Sequence, residues 1–118
     1  MALTGIAYAR AKRRKQIFVA TSSTGPGSTN MVTAAAVAMS NRIPILFLPG
    51  DTYANRMPDP VLQQVEHFNN PGITQNDAFK PVTKYFDRLT RPEQILQTLP
   101  QAIQTMLDPA DCGPACIS

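Results

Sequence analysis

Residues 17–20 (Ile-Phe-Val-Ala) are apolar throughout, and residues 43–48 (Ile-Pro-Ile-Leu-Phe-Leu) are apolar without a polar interruption. A strand with one wet face alternates apolar and polar side chains. A strand covered on both faces need not, so such runs belong in a parallel sheet with helices on either side. The stretch between them, 31–39, carries Ala34, Ala35, Ala36 and Ala38, small side chains that let a helix lie close on a sheet or a neighbouring subunit. Strand, helix, strand is the rhythm of a βαβ unit, with strands over 16–21 and 44–49 and a helix over 28–40.

The rest of the chain extends that rhythm. A helix over about 3–12 precedes the first strand. Residues 51–76 are rich in Pro, Asp, Asn and Gln and exceed the length of an ordinary connector; within them 60–67 suits a short helix capped by Asp59 with Pro60 at its first position. A strand follows at 82–87. Thr90-Arg91-Pro92-Glu93 has the form of a capping box, in which Thr90 and Glu93 would satisfy free backbone donors at the start of a helix reaching about Leu107. Pro100 inside that helix removes a bond to the carbonyl of Leu96, predicting a kink or a restart capped by Thr98. Residues 114–118 read as a last strand. The expected fold is α/β, a parallel sheet of about four strands with helices on both faces.

Composition excludes several classes. Of eleven basic residues, five (Arg10, Lys12, Arg13, Arg14 and Lys15) stand together at the end of the first helix, where cations offset the helix dipole. The net charge of +3 is therefore local, and no nucleic-acid partner is expected. No apolar stretch approaches the roughly 20 residues that cross a bilayer, so no membrane partner is expected and the cytoplasm is the expected compartment. Cys112 and Cys116, with a single distant histidine, His67, are too few for a tetrahedral zinc site and lack the C-x2-C redox spacing, which leaves reduced, partly buried thiols.

Chemistry is expected at the turn between the first strand and its helix, since ligands of parallel sheets sit outside the carboxyl ends of the strands. Thr21-Ser22-Ser23-Thr24-Gly25-Pro26-Gly27-Ser28-Thr29-Asn30 fills that position. It lacks the Gly-Lys-Ser/Thr ending of a P-loop and the G-x-G-x-x-G spacing of a dinucleotide site, and Pro26 removes a donor that a phosphate would use. The residues by themselves leave open a structural turn, a phosphate-binding α/β protein, or an interaction module using the basic run and the proline-rich stretch.

A longer pattern narrows the choice. Ala7-Tyr8-Ala9-Arg10, then Thr24-Gly25-Pro26-Gly27-Ser28-Thr29-Asn30, then Ile43-Pro44-Ile45-Leu46-Phe47-Leu48-Pro49-Gly50-Asp51 resembles, in order and spacing, the N-terminal pyrimidine-binding domain of thiamine-diphosphate enzymes such as acetolactate synthase. Further strings, Ala20-Thr21-Ser22-Ser23, Gly50-Asp51-Thr52, Pro58 to His67, Asn76-Asp77-Ala78-Phe79-Lys80 and Lys84-Tyr85-Phe86-Asp87-Arg88, are similar to the branch of that family that hydrolyses a cyclic 1,2-dione in myo-inositol breakdown. The resemblance spans nearly the full chain.

It implies a thiamine-diphosphate-dependent hydrolase acting on a C–C bond, with a small cyclic dione as substrate, thiamine diphosphate and Mg2+ as cofactors, and a homo-oligomeric parent. Another enzyme of the acetolactate synthase type, or a non-catalytic interaction module, is the alternative. It further implies that Gly25, Pro26, Gly27 and Asn30 form the turn beside the pyrimidine ring, with Thr21 and Ser22 at the strand end as additional cofactor-binding candidates. The family's catalytic glutamate would precede Met1, and neither Glu66 nor Glu93 stands in its place. Diphosphate and metal are held in the family by a separate C-terminal domain with a Gly-Asp-Gly motif. By this resemblance, residues 1–118 are a partial pyrimidine-binding domain lacking its first strands and the catalytic glutamate, expected to be inactive alone and to self-associate through an uncovered sheet edge.

Overall fold

The computed structural model describes residues 1–53, 62–65, 67, 69–70 and 72–118. Helix α1 (Ala2–Ala11) leads into β1 (Phe18–Ser22), followed by the short α2 (Pro26–Thr29), α3 (Val32–Asn41) and β2 (Ile45–Pro49). A 3-10 helix (Gln75–Val82), β3 (Tyr85–Asp87), a 3-10 turn (Pro92–Gln94), α4 (Ile95–Leu107) and β4 (Ala115–Ile117) complete the order. Among the described residues four strands form one sheet in the order β1-β2-β4-β3, and every neighbouring pair is parallel. Phe18 lies opposite Ile45 and Ser22 opposite Pro49, while Phe47 and Phe86 both flank Cys116.

The unalternating apolar strands have the expected cause. From β2, Ile45 and Phe47 join Ala20 and Cys116 in a core with Ile6 and Ala9 of α1, Ala34, Ala35 and Ala38 of α3, and Phe79. Leu46, with Ala115 and Ile117, faces the other way into a core with Ala102 and Met106 of α4. Both faces are thus covered. Phe47 and Phe79 are fully buried with ring centroids 5.6 Å apart, a pair in which each side chain gains about 2–3 kcal/mol from burial. Close approach of α1 to β1 depends on Gly5, where a Cβ would run into the Phe18 ring. The basic run after α1 also has a use: Arg14 Nη2 donates to the carbonyl of Asn41 at the end of α3 (3.1 Å).

Several local expectations need correction. The helix expected over 28–40 is two helices, because Pro26 takes the first-turn position suited to a residue without an N–H and the bonding tightens at Met31, whose N–H donates to Ser28 O. The capping box is displaced by one residue: Gln94 Oε1, not Glu93, accepts from the N–H groups of Thr90 (2.7 Å) and Arg91 (2.9 Å). Helix α4 runs through Pro100 without a restart, and Thr98 donates its hydroxyl to Asp87 instead of capping (2.6 Å). The strand expected over 82–87 begins only at Tyr85, since 75–82 is helical. Of the short helix expected over 60–67, residues 60, 61 and 66 lie outside the described residues; the other five are not helical, with Leu62 and Gln63 in a turn.

Candidate site at the carboxyl end of the sheet

All four strands point the same way, so their last residues and the segments leaving them converge at one edge. At β1 that segment is the Gly-Pro-Gly turn. Gly25 has φ +66° and ψ −131°, a conformation open to glycine and strained for other residues, and it is buried where a Cβ would collide with the carbonyl oxygen of Gln63. Pro26 is exposed at the first position of α2. Gly27 abuts Ser23, whose Oγ would lie 2.6 Å from an added Cβ. Thr21 donates its hydroxyl to Leu48 O (2.9 Å), bridging β1 to β2; Ser22 donates to Ser23 O (3.0 Å), and its own carbonyl accepts from Gly50 N. Asn30 is exposed and lines a cavity of about 360 Å³ together with Met1, Ala2, Leu3, Thr33 and Ala34. The structure thus gathers the six expected residues at one strand exit but separates their roles: Thr21 and Ser22 hold the strand end, Gly25 and Gly27 shape the turn, and Pro26 and Asn30 present groups outward.

Beside this turn lies a polar cluster for which sequence reading assigned no role. Arg88, just past β3, donates from Nε to Asp51 Oδ2 (2.8 Å) and from Nη2 to Asp77 Oδ1 and Thr74 Oγ1 (both 2.9 Å). Asp51, just past β2, also accepts from Ser118 Oγ (2.5 Å) and Thr52 N (2.8 Å). Burial pushes the Asp51 carboxyl upward, but the bonds from Ser118, Arg88 and Thr52 outweigh it and hold the group below the usual carboxylate range. Asp77 is likewise lowered against its partial burial, by Lys80, the Thr74 N–H and Arg88. Two carboxylates facing one guanidinium keep Arg88 above its ordinary value despite desolvation.

Asn76 is fully buried beside this cluster. Its Nδ2 donates to Gly50 O (2.8 Å) and Ser118 Oγ (2.7 Å), and its Oδ1 accepts from Ser28 Oγ. A signal for this region was present in the sequence: Thr74-x-x-Asp77 is itself a capping box, in which Thr74 N donates to Asp77 Oδ2 (2.9 Å) and Asn76 N to Thr74 Oγ1 (3.2 Å). Glu66 lies outside the described residues, and Glu93 is exposed in the 3-10 turn before α4.

What the edge can hold follows from its chemistry. The cavity beside Asn30 is walled by apolar side chains, one amide and one hydroxyl, a lining for a neutral ring with polar substituents. Among the described residues neither Lys nor Arg lines it, and no group of three His, Cys, Asp or Glu side chains is arranged to hold a metal. Residues 1–74 match the family described as "Thiamine pyrophosphate enzyme, N-terminal TPP binding domain".

The chain belongs to that family. Among curated proteins, it is 58% identical over 120 residues to "3D-(3,5/4)-trihydroxycyclohexane-1,2-dione hydrolase" of Halalkalibacterium halodurans, covering 100% of this chain and 19% of that protein. Proteins of the same name from Clostridium tetani and Listeria monocytogenes are 55% and 53% identical, covering 100% and 99% of this chain and 18% of each relative. The chain therefore spans about a fifth of the length of the curated relatives it matches. Among solved structures, the thiamine diphosphate-dependent 4-hydroxybenzoylformate decarboxylase of Rhodococcus jostii RHA1 superposes with a TM-score of 0.78 at 20% identity, over 99% of this chain and 20% of that one; the likeness is one of fold. Cys112 and Cys116 are both free, and among the described residues no helix is long and apolar enough to cross a membrane.

Proposed function

We propose that residues 1–118 are the pyrimidine-facing part of a thiamine-diphosphate-dependent hydrolase that opens a cyclic trihydroxy-1,2-dione in myo-inositol catabolism. The observation that carries this reading is the Gly-Pro-Gly turn at the exit of β1, set beside a cavity whose described lining offers the Asn30 amide and the Thr33 hydroxyl but no lysine or arginine side chain. The names of relatives more than half identical along the whole chain support the substrate class. When bound, the cofactor supplies an electron sink for breaking a C–C bond. The role of this chain is to receive the ring end: Gly25 and Gly27 bring backbone close, Pro26 offers an apolar face, and Asn30 and Thr33 offer hydrogen-bonding groups in the cavity. The diphosphate and Mg2+ belong with cationic or acidic side chains elsewhere in a cytoplasmic homo-oligomer, because the described cavity lining offers neither kind of side chain.

The reading is tested in the full-length hydrolase by titrating thiamine diphosphate into Pro26→Ala and Asn30→Ala variants. Both are expected to bind the cofactor more weakly with an unchanged circular-dichroism spectrum. Wild-type affinity in both would reduce the segment to a structural turn. The 118-residue chain alone is expected to show no cofactor- and magnesium-dependent hydrolysis of the dione, and turnover by it would contradict the division of the site.

A further inference from the structure

We propose that Asn76 is the positioning residue for the Gly-Pro-Gly turn, acting through Ser28; the inference rests on the reading that this turn faces the cofactor. The direction of every proton in the network is fixed by chemistry. Gly50 O can only accept, so the Asn76 amide must present its NH2 to it. That leaves Oδ1 facing Ser28, whose hydroxyl must therefore donate. The second amide hydrogen goes to Ser118 Oγ, and the Ser118 hydroxyl proton is directed to Asp51. A single amide thereby ties together α2 after β1, the exit of β2 and the exit of β4, while its own 3-10 helix leads to β3.

Ser28 and Asn76 are both fully buried, so water cannot replace either partner, and a lost bond leaves a bare polar atom. Ser28 lies within α2, between the cofactor-facing candidates Gly27 and Asn30. In α2 the Asn30 N–H donates to Pro26 O, and Thr29 N–H donates to Gly25 O. A helix of four residues has little stability of its own. Its height above the sheet is set by what anchors it, and Ser28 is its buried polar anchor.

The test uses the full-length hydrolase and two variants. Ser28→Ala removes only the strut; Asn76→Asp keeps the acceptor for Ser28 and removes both amide donors. Backbone hydrogen exchange is followed without cofactor, and thiamine diphosphate affinity is measured by calorimetric titration. In Ser28→Ala the amides of Thr29 and Asn30 are expected to exchange about tenfold faster, with those of β2 unchanged, and cofactor affinity to fall about tenfold. Asn76→Asp, which unties the side chain from Gly50 O and Ser118, is expected to loosen the same amides together with the exit of β2 at Gly50. Unchanged exchange in the turn of Ser28→Ala, or an equal rise across β2 in that variant, would overturn the positioning role. Faster exchange in the turn with cofactor affinity at the wild-type value in Ser28→Ala and Pro26→Ala alike would support the strut and refute the cofactor reading instead.

Discussion

Arg88→Ala is the sharpest probe of the edge of the sheet. The guanidinium makes three hydrogen bonds, two of them to carboxylates. Its side chain is 27% exposed, that of Asp51 only 10% and that of Asp77 21%. Breaking a well-buried ion pair costs about 3–5 kcal/mol, but here water reaches part of the cluster, Asp51 keeps Ser118 and Thr52, and Asp77 keeps Lys80 and Thr74. About 2 kcal/mol is the expected loss at neutral pH, or about 8 °C in midpoint for a chain of this size. Thermal unfolding of the 118-residue chain, followed by far-UV circular dichroism, measures it. Both carboxyls have folded pKa values below the unfolded value, so their contribution is present above about pH 4 and disappears as pH falls through the folded values. The gap between wild type and variant should therefore narrow progressively as pH falls below about 4. A gap under about 2 °C at pH 7, or one that does not narrow on titration into acid, would refute this account of the cluster.

Other outcomes follow from geometry already described. Gly25→Ala is expected to destabilise the chain by at least about 1–3 kcal/mol, since its backbone conformation is strained for alanine and its Cβ would meet Gln63 O; a wild-type urea midpoint would show that the turn can relax. Asp111 pairs with Lys84 at 2.7 Å, but its side chain is 59% exposed, so Asp111→Asn should leave the thermal midpoint unmoved. Finally, β1 is an edge of the sheet, with Val19 48% exposed, and such edges pair with other chains. Light scattering of the 118-residue chain is expected to show self-association that Val19→Lys reduces, and a monomer at high concentration would count against an adhesive edge.

The sheet was legible because burial on both faces writes itself into composition: Ile45 and Phe47 serve one core and Leu46 the other, so no polar residue interrupts β2. The position of Gly25 was legible for a different reason, since a glycine after an apolar run marks backbone that other residues avoid. The polar cluster was not. Asp51, Asn76, Arg88 and Ser118 come from segments up to 67 positions apart, and nothing local distinguishes a buried asparagine with three partners from one in a solvated loop. The 3-10 helix over Gln75–Val82 was missed although Thr74 and Asp77 announce it, because Pro81 and the polar composition resemble a connector. Pro100 misled in the opposite sense: exposed at the helix surface, it interrupts α4 less than its missing N–H suggested.

The strand order β1-β2-β4-β3 also has a bearing on how the molecule is made. Phe18–Ser22 and Ile45–Pro49 can zip together as soon as both exist, but among the described residues Tyr85–Asp87 has no ladder partner other than Ala115–Ile117. The strand latest in the sequence is thus a keystone, wedged between two earlier ones. During synthesis the β1-β2 half and the β3-α4 half remain without a shared ladder until it arrives, and the register between the two halves is decided in that step.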